Sequence, residues 1–169
     1  MKRLLSFIGT IILIGTSTTN LVACNKTQYS EDDLKKEKEK HKIDTANQEI
    51  KNNLEWIAPQ EKPFNTVDSK YYIVVARNSL NSDWKIFKLK NNGEKGRGLK
   101  TDWGERPVGW IFTSNGIYLA TGNLLDTSMK YVWGKNKKYE NYIKSVYRWN
   151  LNKNIPSLAV NNKTGEIAL

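Results

Sequence analysis

Asp102 and Glu105 are the only close pair of carboxylates in the central loops of this 169-residue chain. Two carboxyl groups are the side chains that glycoside hydrolysis requires, one as general acid and one as base or nucleophile. In the stretch TDWGERP, however, the same two acids can shape a turn together with Arg106 and Pro107. We favour the turn, so a carboxylate-dependent hydrolase is the least supported function that the sequence allows.

The cysteine and histidine counts exclude most other catalytic chemistry. With one Cys and one His, the sequence offers no internal disulfide, no Cys–His pair, no His dyad and no His-rich zinc site. It also contains no phosphate-binding glycine loop, no dinucleotide fingerprint and no nucleophile elbow. We therefore expect a non-enzymatic protein with no metal site and no cofactor.

The single cysteine, Cys24, stands at the end of a leader that has the parts of a secretory signal. Residues 1–3 are basic, residues 4–15 are an apolar stretch, and residues 16–20 are polar. The apolar stretch is too short to cross a membrane, which takes about 20 residues. The pattern predicts a signal peptide over residues 1–23 that is removed on export.

The residues at the expected cleavage point are Leu21, Val22, Ala23 and Cys24. They resemble the lipobox of bacterial lipoproteins, in which a cysteine thiol takes a diacylglycerol before cleavage on its N-terminal side. The resemblance implies that Cys24 carries a lipid anchor and that membrane lipid is a partner. A small buried core cysteine is the alternative. Two acyl chains, at about 0.8 kcal/mol per buried CH₂, hold a protein stably at a bilayer where one chain would not.

The whole leader, MKRLLSFIGTIILIGTSTTNLVAC, resembles the leaders of spiroplasma surface lipoproteins, which carry a run of Thr and Ser just before the lipobox. These mollicute bacteria have no cell wall and no outer membrane. The resemblance therefore implies a lipid-anchored protein on the outer face of the cell membrane.

A charge-balanced segment, residues 24–53, follows the leader. It holds seven basic and seven acidic side chains, so its net charge is zero. Ser30 with Asp33 three residues later can cap a helix. We expect a lipid-anchored tether that is partly helical, with a solvated spacer before a docking helix and with His41 as a solvated side chain.

Five apolar residues in and after this segment are spaced 3, 4, 4 and 3 apart. They are Ile43, Ala46, Ile50, Leu54 and Ile57. This spacing places them on one face of a helix, and such a face needs a partner. We expect the helix to dock on the rest of the chain, with a coiled-coil seam or a partner-binding helix as alternatives.

Residues 54–169 are predicted to form a small β domain. Short runs of β-branched and aromatic residues predict strands over 70–77, 84–89, 108–113, 117–121 and 146–149. The run YYIVVA is apolar at every position, which predicts a strand covered on both faces. Asn115-Gly116 between two apolar runs predicts a hairpin.

A weak internal repeat runs through this domain. Residues 72–80 align with 117–125, and residues 86–89 align with 146–149. Units of this length, built from four short strands, are typical of β-propeller blades. The residues TDW..RP..WIF..NGIYLAT...VYRW...PSLAVNNKTGEI also resemble the propeller-like repeat of large spiroplasma surface lipoproteins, a family of unknown activity. The resemblance implies architecture and location but no reaction.

The predicted fold is therefore mainly β: an incomplete β-propeller-like antiparallel domain of about two blades, preceded by a charged, amphipathic α-helix. Two blades cannot close a ring, and an unclosed blade leaves an apolar face and a free strand edge. We expect the 43–57 helix to cap that face, or chains to self-associate, or the chain to be a remnant of a longer gene.

Tryptophans and lysines are the candidate recognition residues. Trp84, Trp110 and Trp149 lie in predicted strands, so we expect them in the core. Trp103 and Trp133 stand beside glycines in predicted loops, where an exposed ring can stack on a sugar or a base. The insertion 130–144 interleaves lysines with tyrosines; its candidate contacts are Lys135, Lys137 and Lys138.

Lysines without accompanying arginines make a weak nucleic-acid signal, so we favour a solvated loop for this insertion. Attraction to anionic lipid headgroups is the second option. Together the features predict a lipid-anchored surface protein that binds or displays a protein or glycan and does not catalyse. The alternatives are a non-functional remnant of a larger propeller lipoprotein and a surface glycan hydrolase.

Overall fold

A computed structural model describes residues 28–93, 108–113, 116–122, 130–134, 137–153 and 155–168. Several predicted site residues lie outside these ranges: the lipobox Leu21, Val22, Ala23 and Cys24, the acids Asp102 and Glu105, and Trp103 and Lys135. Over the ranges that are described, no helix is both long enough and apolar enough to cross a membrane.

Two helices open the described chain. Helix α1 spans Glu31–Lys40 and begins at Ser30, whose Oγ accepts a hydrogen bond from the Asp33 N–H at 3.2 Å. Acidic residues in its first turn and lysines in its last turn suit the helix dipole. Helix α2 spans Gln48–Asn53, and the Asn47 side chain caps it. The predicted cap at Ser30 is confirmed.

The predicted continuous helical face over residues 43–57 is wrong. The chain leaves α2 after Asn53 and enters strand β1, Leu54–Trp56, which pairs with a distant strand. Sheet hydrogen bonds and alternate burial of Leu54 and Trp56 replace the helical pattern there. Ala46, which the spacing placed on the apolar face, is exposed.

Four strands form an antiparallel sheet, here called sheet A, in the order β1-β7-β2-β3. Strand β2 spans Tyr71–Ala76, β3 spans Lys85–Lys90 and β7 spans Ile143–Trp149. Because β2 lies between two neighbours, its apolar residues contact both sides of the sheet. Tyr72 and Val74 contact one buried cluster and Ile73 contacts another. The prediction of a strand covered on both faces is confirmed.

Three further strands form sheet B, in the order β4-β5-β6. Strand β4 spans Val108–Thr113, β5 spans Gly116–Gly122 and β6 spans Lys130–Val132. The β4–β5 hairpin is confirmed: Thr113 stands opposite Gly116, whose φ of 125° favours glycine. A third sheet has two antiparallel strands, β8 at Ala159–Val160 and β9 at Ile167–Ala168.

Two buried clusters lie on opposite faces of sheet A. The inter-sheet core lies between sheets A and B and includes Tyr72, Val74, Leu89, Trp110, Leu119 and Val146. The outer core lies on the other face and includes Ile43, Ile50, Leu54, Trp56, Ile73, Tyr147 and Trp149. Half-buried side chains from α1 and from the C-terminal hairpin region pack against the outer core. The segment expected to be a tether therefore covers one face of the sheet from residue 29 onward.

The described strands form open, mainly antiparallel sheets, and two successive propeller blades are not shown. The repeat relates β2 to β5 and β3 to β7; β2 and β5 lie in different sheets, whereas β3 and β7 lie in the same sheet on either side of β2. Strand β7 pairs with β2, although the three strands of sheet B lie between them in the chain. Cross-strand pairing thus brings the second strand of both repeat copies into sheet A and does not give each copy a sheet of its own.

Candidate functional site

The lysine-rich insertion connects sheet B back to sheet A. It contains β6, then a 3-10 helix at Lys137–Asn141, then the start of β7. Trp133 directly follows β6, and its backbone N–H donates a hydrogen bond to the Leu119 carbonyl at 2.9 Å. This bond extends the sheet B pairing by one residue and directs the indole into the inter-sheet core.

The expectation that Trp133 is an exposed recognition residue is corrected by its burial. Its side chain is 5% exposed and packs edge-on against Tyr139, with the ring centroids 4.8 Å apart. Tyr139 is also buried, and burial raises the pKa of its phenol well above the usual range. These two rings contact the core and cannot stack on a ligand at the surface. The other three tryptophans placed in the core by prediction, Trp84, Trp110 and Trp149, are buried as expected.

The lysines of the insertion point the other way where they are described. Lys138 is exposed, and it has no ion-pair partner among the residues that the structure describes. Lys135 lies outside those residues, and of Lys137 only the backbone position in the 3-10 helix is described. The structure thus separates the aromatic rings from a lysine that the sequence placed among them.

The insertion lies beside a contact between the N-terminal segment and the loop that follows β1. The Tyr29 N–H donates to Gln60 Oε1 at 2.7 Å, and Gln60 Nε2 donates back to the Tyr29 carbonyl at 2.9 Å. The adjacent Pro59 carbonyl lies so close to Gly134 that a Cβ there would be 2.4 Å from its oxygen. Gly134 also has a φ of 82°, a backbone angle that residues other than glycine rarely adopt. We call this junction of Tyr29, Pro59, Gln60 and Gly134 the N-terminal corner.

No motif in the sequence signals this corner. Tyr29 and Gln60 are 31 residues apart, and neither belongs to a recognisable sequence motif. The sequence analysis singled out the lysine insertion and the N-terminal segment separately. Only the fold brings them together.

An ion-pair network next to the corner fastens α1 to sheet A. Lys38 Nζ lies 2.6 Å from Glu55 Oε1 and 2.7 Å from Glu61 Oε1. Arg148 Nη2 lies 2.7 Å from Glu55 Oε2. The two residues stand opposite each other on the paired strands β7 and β1. Glu61 Oε2 also accepts the Ala58 N–H at 2.8 Å. The network joins α1, β1, the following loop and β7, and its four side chains sum to zero charge.

The pKa shifts in the network show that its charged groups stabilise one another. Burial would raise the pKa of Glu55, but hydrogen bonds from Lys38, Arg148 and Asn150 outweigh it and lower that pKa. The carboxylate is therefore ionised and fully engaged at neutral pH, so it has no proton to donate as a general acid. The pKa of Lys38 is raised: burial opposes the shift, and the two glutamates more than compensate.

His41 ends α1 and stacks on Trp56, with the ring centroids 4.2 Å apart and the planes 14° from parallel. It was expected to be solvated, but the stack leaves its side chain 42% exposed. Burial lowers its pKa, against the attraction of Glu37. Within the described ranges, no three His, Cys, Asp or Glu side chains are grouped so as to hold a metal ion.

The comparisons with known proteins give one result. No protein-family model, curated protein or solved structure matches this chain.

Proposed function

We propose that the chain is a lipid-anchored protein of the outer face of the cell membrane that works by binding or display rather than by catalysis. The observation that carries this proposal is the position of Cys24, the only cysteine, at the end of Leu21-Val22-Ala23 and behind a basic and apolar leader. A contact in the described part of the chain supports it, since Tyr29, five residues after Cys24, hydrogen-bonds to Gln60.

The non-catalytic part of the proposal rests on how the described charges are used. Glu55 and Glu61 are held by Lys38 and Arg148, and the exposed pairs Lys153–Glu49 and Lys163–Asp83 lie at the surface. A protein of this kind presents its surface to a protein or glycan ligand. The propeller-like relationship belongs to the proposal as well: sheet A has four antiparallel strands, the number found in a propeller blade.

The anchor is tested by expressing the full chain in a bacterium that processes lipoproteins and has no outer membrane, with labelled palmitate in the medium. We expect label on the wild-type protein and on Ser17→Ala, a control in the polar part of the leader, and none on Cys24→Ala. Protease added to intact cells should digest the wild-type protein. An unlabelled wild-type protein, or one that the protease reaches only after lysis, would contradict the proposal.

Binding and catalysis are separated by variants in the central loop. A glycan screen on the purified protein is followed by turnover assays on every glycan that binds. Loss of binding in Trp103→Ala, without turnover in any variant, supports display. Turnover by the wild-type protein that Asp102→Asn or Glu105→Gln abolishes would overturn the non-enzymatic part of the proposal.

A further inference from the structure

The position of the N-terminal corner follows from chain length once the proposed anchor at Cys24 is accepted, and the inference below rests on that proposal. Cys24 and Tyr29 are five residues apart, and an extended chain spans at most about 3.6 Å per residue. The Tyr29 backbone therefore lies within about 18 Å of the anchored cysteine. Because both hydrogen bonds to Gln60 fix Tyr29 to the domain, the corner must stay close to the bilayer.

Two exposed lysines flank this corner. Lys62 follows Gln60 by two residues, and Lys138 precedes the buried Tyr139, which packs on Trp133 next to Gly134. Neither ammonium group has an ion-pair partner in the described part of the chain.

Of the five acidic groups described nearby, two have an ion-pair partner and the other three are exposed. Glu61, between Gln60 and Lys62, is bound by Lys38. In the first turn of α1, Asp33 lies 3.7 Å from Lys36, while Glu31 and Asp32 are exposed. Glu140 is exposed next to Tyr139. These carboxylates oppose attraction to an anionic surface, so the two free lysines have to contact headgroups directly to outweigh them.

We propose that the N-terminal corner is the membrane-facing side of the domain, where Lys62 and Lys138 contact anionic lipid headgroups. The anchor supplies the attachment, and the lysines select one orientation of the domain on the bilayer. Each lysine near an anionic surface changes the ratio of membrane-apposed to detached orientations by about fivefold. Surfaces at the other end of sheet A would then be presented away from the membrane.

Single labels on the acylated protein in vesicles test the orientation. The thiol of Cys24 is blocked by the lipid, so Asn141→Cys and Asn52→Cys each provide one reactive thiol. Both asparagines are exposed and lie in the last turn of a short helix. Asn141 precedes the start of β7, whereas Asn52 lies by the start of β1, opposite the end of β7. Vesicles contain a headgroup-level quencher and either about 30% phosphatidylserine or phosphatidylcholine alone.

We expect strong quenching of a dye at position 141 in the anionic vesicles, and little at position 52. Lys62→Gln with Lys138→Gln should reduce the quenching at 141 to its phosphatidylcholine value. The matched double variant Lys51→Gln with Lys153→Gln, at the far end of sheet A, should leave it unchanged.

Equal quenching at both positions would overturn the orientation, and quenching at 141 that is independent of both lipid charge and the two lysines would overturn the headgroup contact. These results apply only to protein that sediments with the vesicles. Failure of the wild-type protein to sediment would instead show that the anchor itself is absent, which contradicts the proposed function and is distinguishable from either result above.

Discussion

The two faces of sheet A are covered by different kinds of chain. One face packs against sheet B, and there Tyr72 of sheet A, Trp110 of sheet B and Phe64 of the short 3-10 helix at Pro63–Asn65 contact one another at centroid distances of 5.3–5.8 Å. The other face is covered by the charge-balanced N-terminal segment, which contributes few apolar residues and is fastened by the Lys38–Glu55 and Lys38–Glu61 ion pairs. The difference teaches that a segment with the composition of a tether can be a layer of the fold when a few of its side chains are buried.

The largest expected effect comes from matched tryptophans on the two faces. Trp149 belongs to the outer core and Trp110 to the inter-sheet core, and each donates its indole N–H to a backbone carbonyl. We expect Trp149→Ala and Trp110→Ala each to lower the free energy of unfolding by about 3–5 kcal/mol, measured by urea denaturation. The exposed control Leu80→Ala should change it by less than about 0.5 kcal/mol. A Trp149→Ala loss as small as the control's would mean that the outer face is not a core.

The next largest effect distinguishes the observed structure, in which Ile50 is buried and Ala46 is exposed, from the continuous helical face that the spacing predicted. Ile50 is 3% exposed and anchors α2 in the outer core, so Ile50→Ala should cost about 2–4 kcal/mol in urea denaturation. Ala46 is exposed, so Ala46→Gln should be nearly neutral. A large loss in Ala46→Gln would restore the continuous helix and contradict the turn into β1.

The ion-pair network should contribute less than either apolar contact. Glu55→Gln keeps the shape of the side chain but leaves Lys38 and Arg148 without their shared carboxylate, and we expect a loss of about 1–2 kcal/mol at pH 7. Glu49→Gln breaks only the exposed pair with Lys153 and should cost below about 0.5 kcal/mol. Equal losses for the two variants would mean that the network does not fasten α1.

The same network predicts a pH dependence. The pKa of Glu55 is lowered on folding from an ordinary value of 4.5. Its contribution to stability is therefore fully present above about pH 4.5 and is lost as the pH falls through the folded-state pKa. The difference between wild type and Glu55→Gln should accordingly shrink below about pH 4.5.

The smallest effect is expected at His41. Folding lowers its pKa from 6.5, so the unfolded chain binds the proton more tightly than the folded protein does. Stability should therefore decrease as the pH falls below about 6.5, until the folded-state pKa is passed. Because the side chain is nearly half exposed, we expect less than about 0.5 kcal/mol. Urea midpoints between pH 5 and 8 would show this slope in wild type but not in His41→Phe, which keeps an aromatic ring on Trp56; a slope that persists in His41→Phe would assign the effect to another group.

Local patterns predicted the elements whose residues agree with one another over several positions. YYIVVA identified the central strand, Ser30 with Asp33 identified the start of α1, and Asn115-Gly116 identified the β4–β5 hairpin. Strand β1 was missed because three residues with a charged one at the centre carry almost no periodic signal. Its identity is decided by pairing with β7, 93 residues away in the case of Glu55 and Arg148.

The candidate site was harder to predict for the same reason. Trp133 next to a glycine has the local pattern of a loop, yet its hydrogen bond to Leu119 places it in the core. Lys138 and Tyr29 lie more than a hundred residues apart, so nothing local indicates that their segments meet at the N-terminal corner. The proposed lipobox at Cys24, in contrast, is a compact sequence motif whose prediction requires no knowledge of the fold.

The central claim is that the charged segment before β1 is a layer of the fold. The most direct test compares residues 25–169 with residues 54–169 by light-scattering mass and thermal unfolding. Removal of the segment takes away Ile43, Ile50 and Lys38, and it exposes the outer core. We predict one cooperative transition and a defined mass for the longer chain, and a broad melt with aggregation for the shorter one. A shorter chain that is monomeric and unfolds cooperatively at an unchanged Tm would contradict the account.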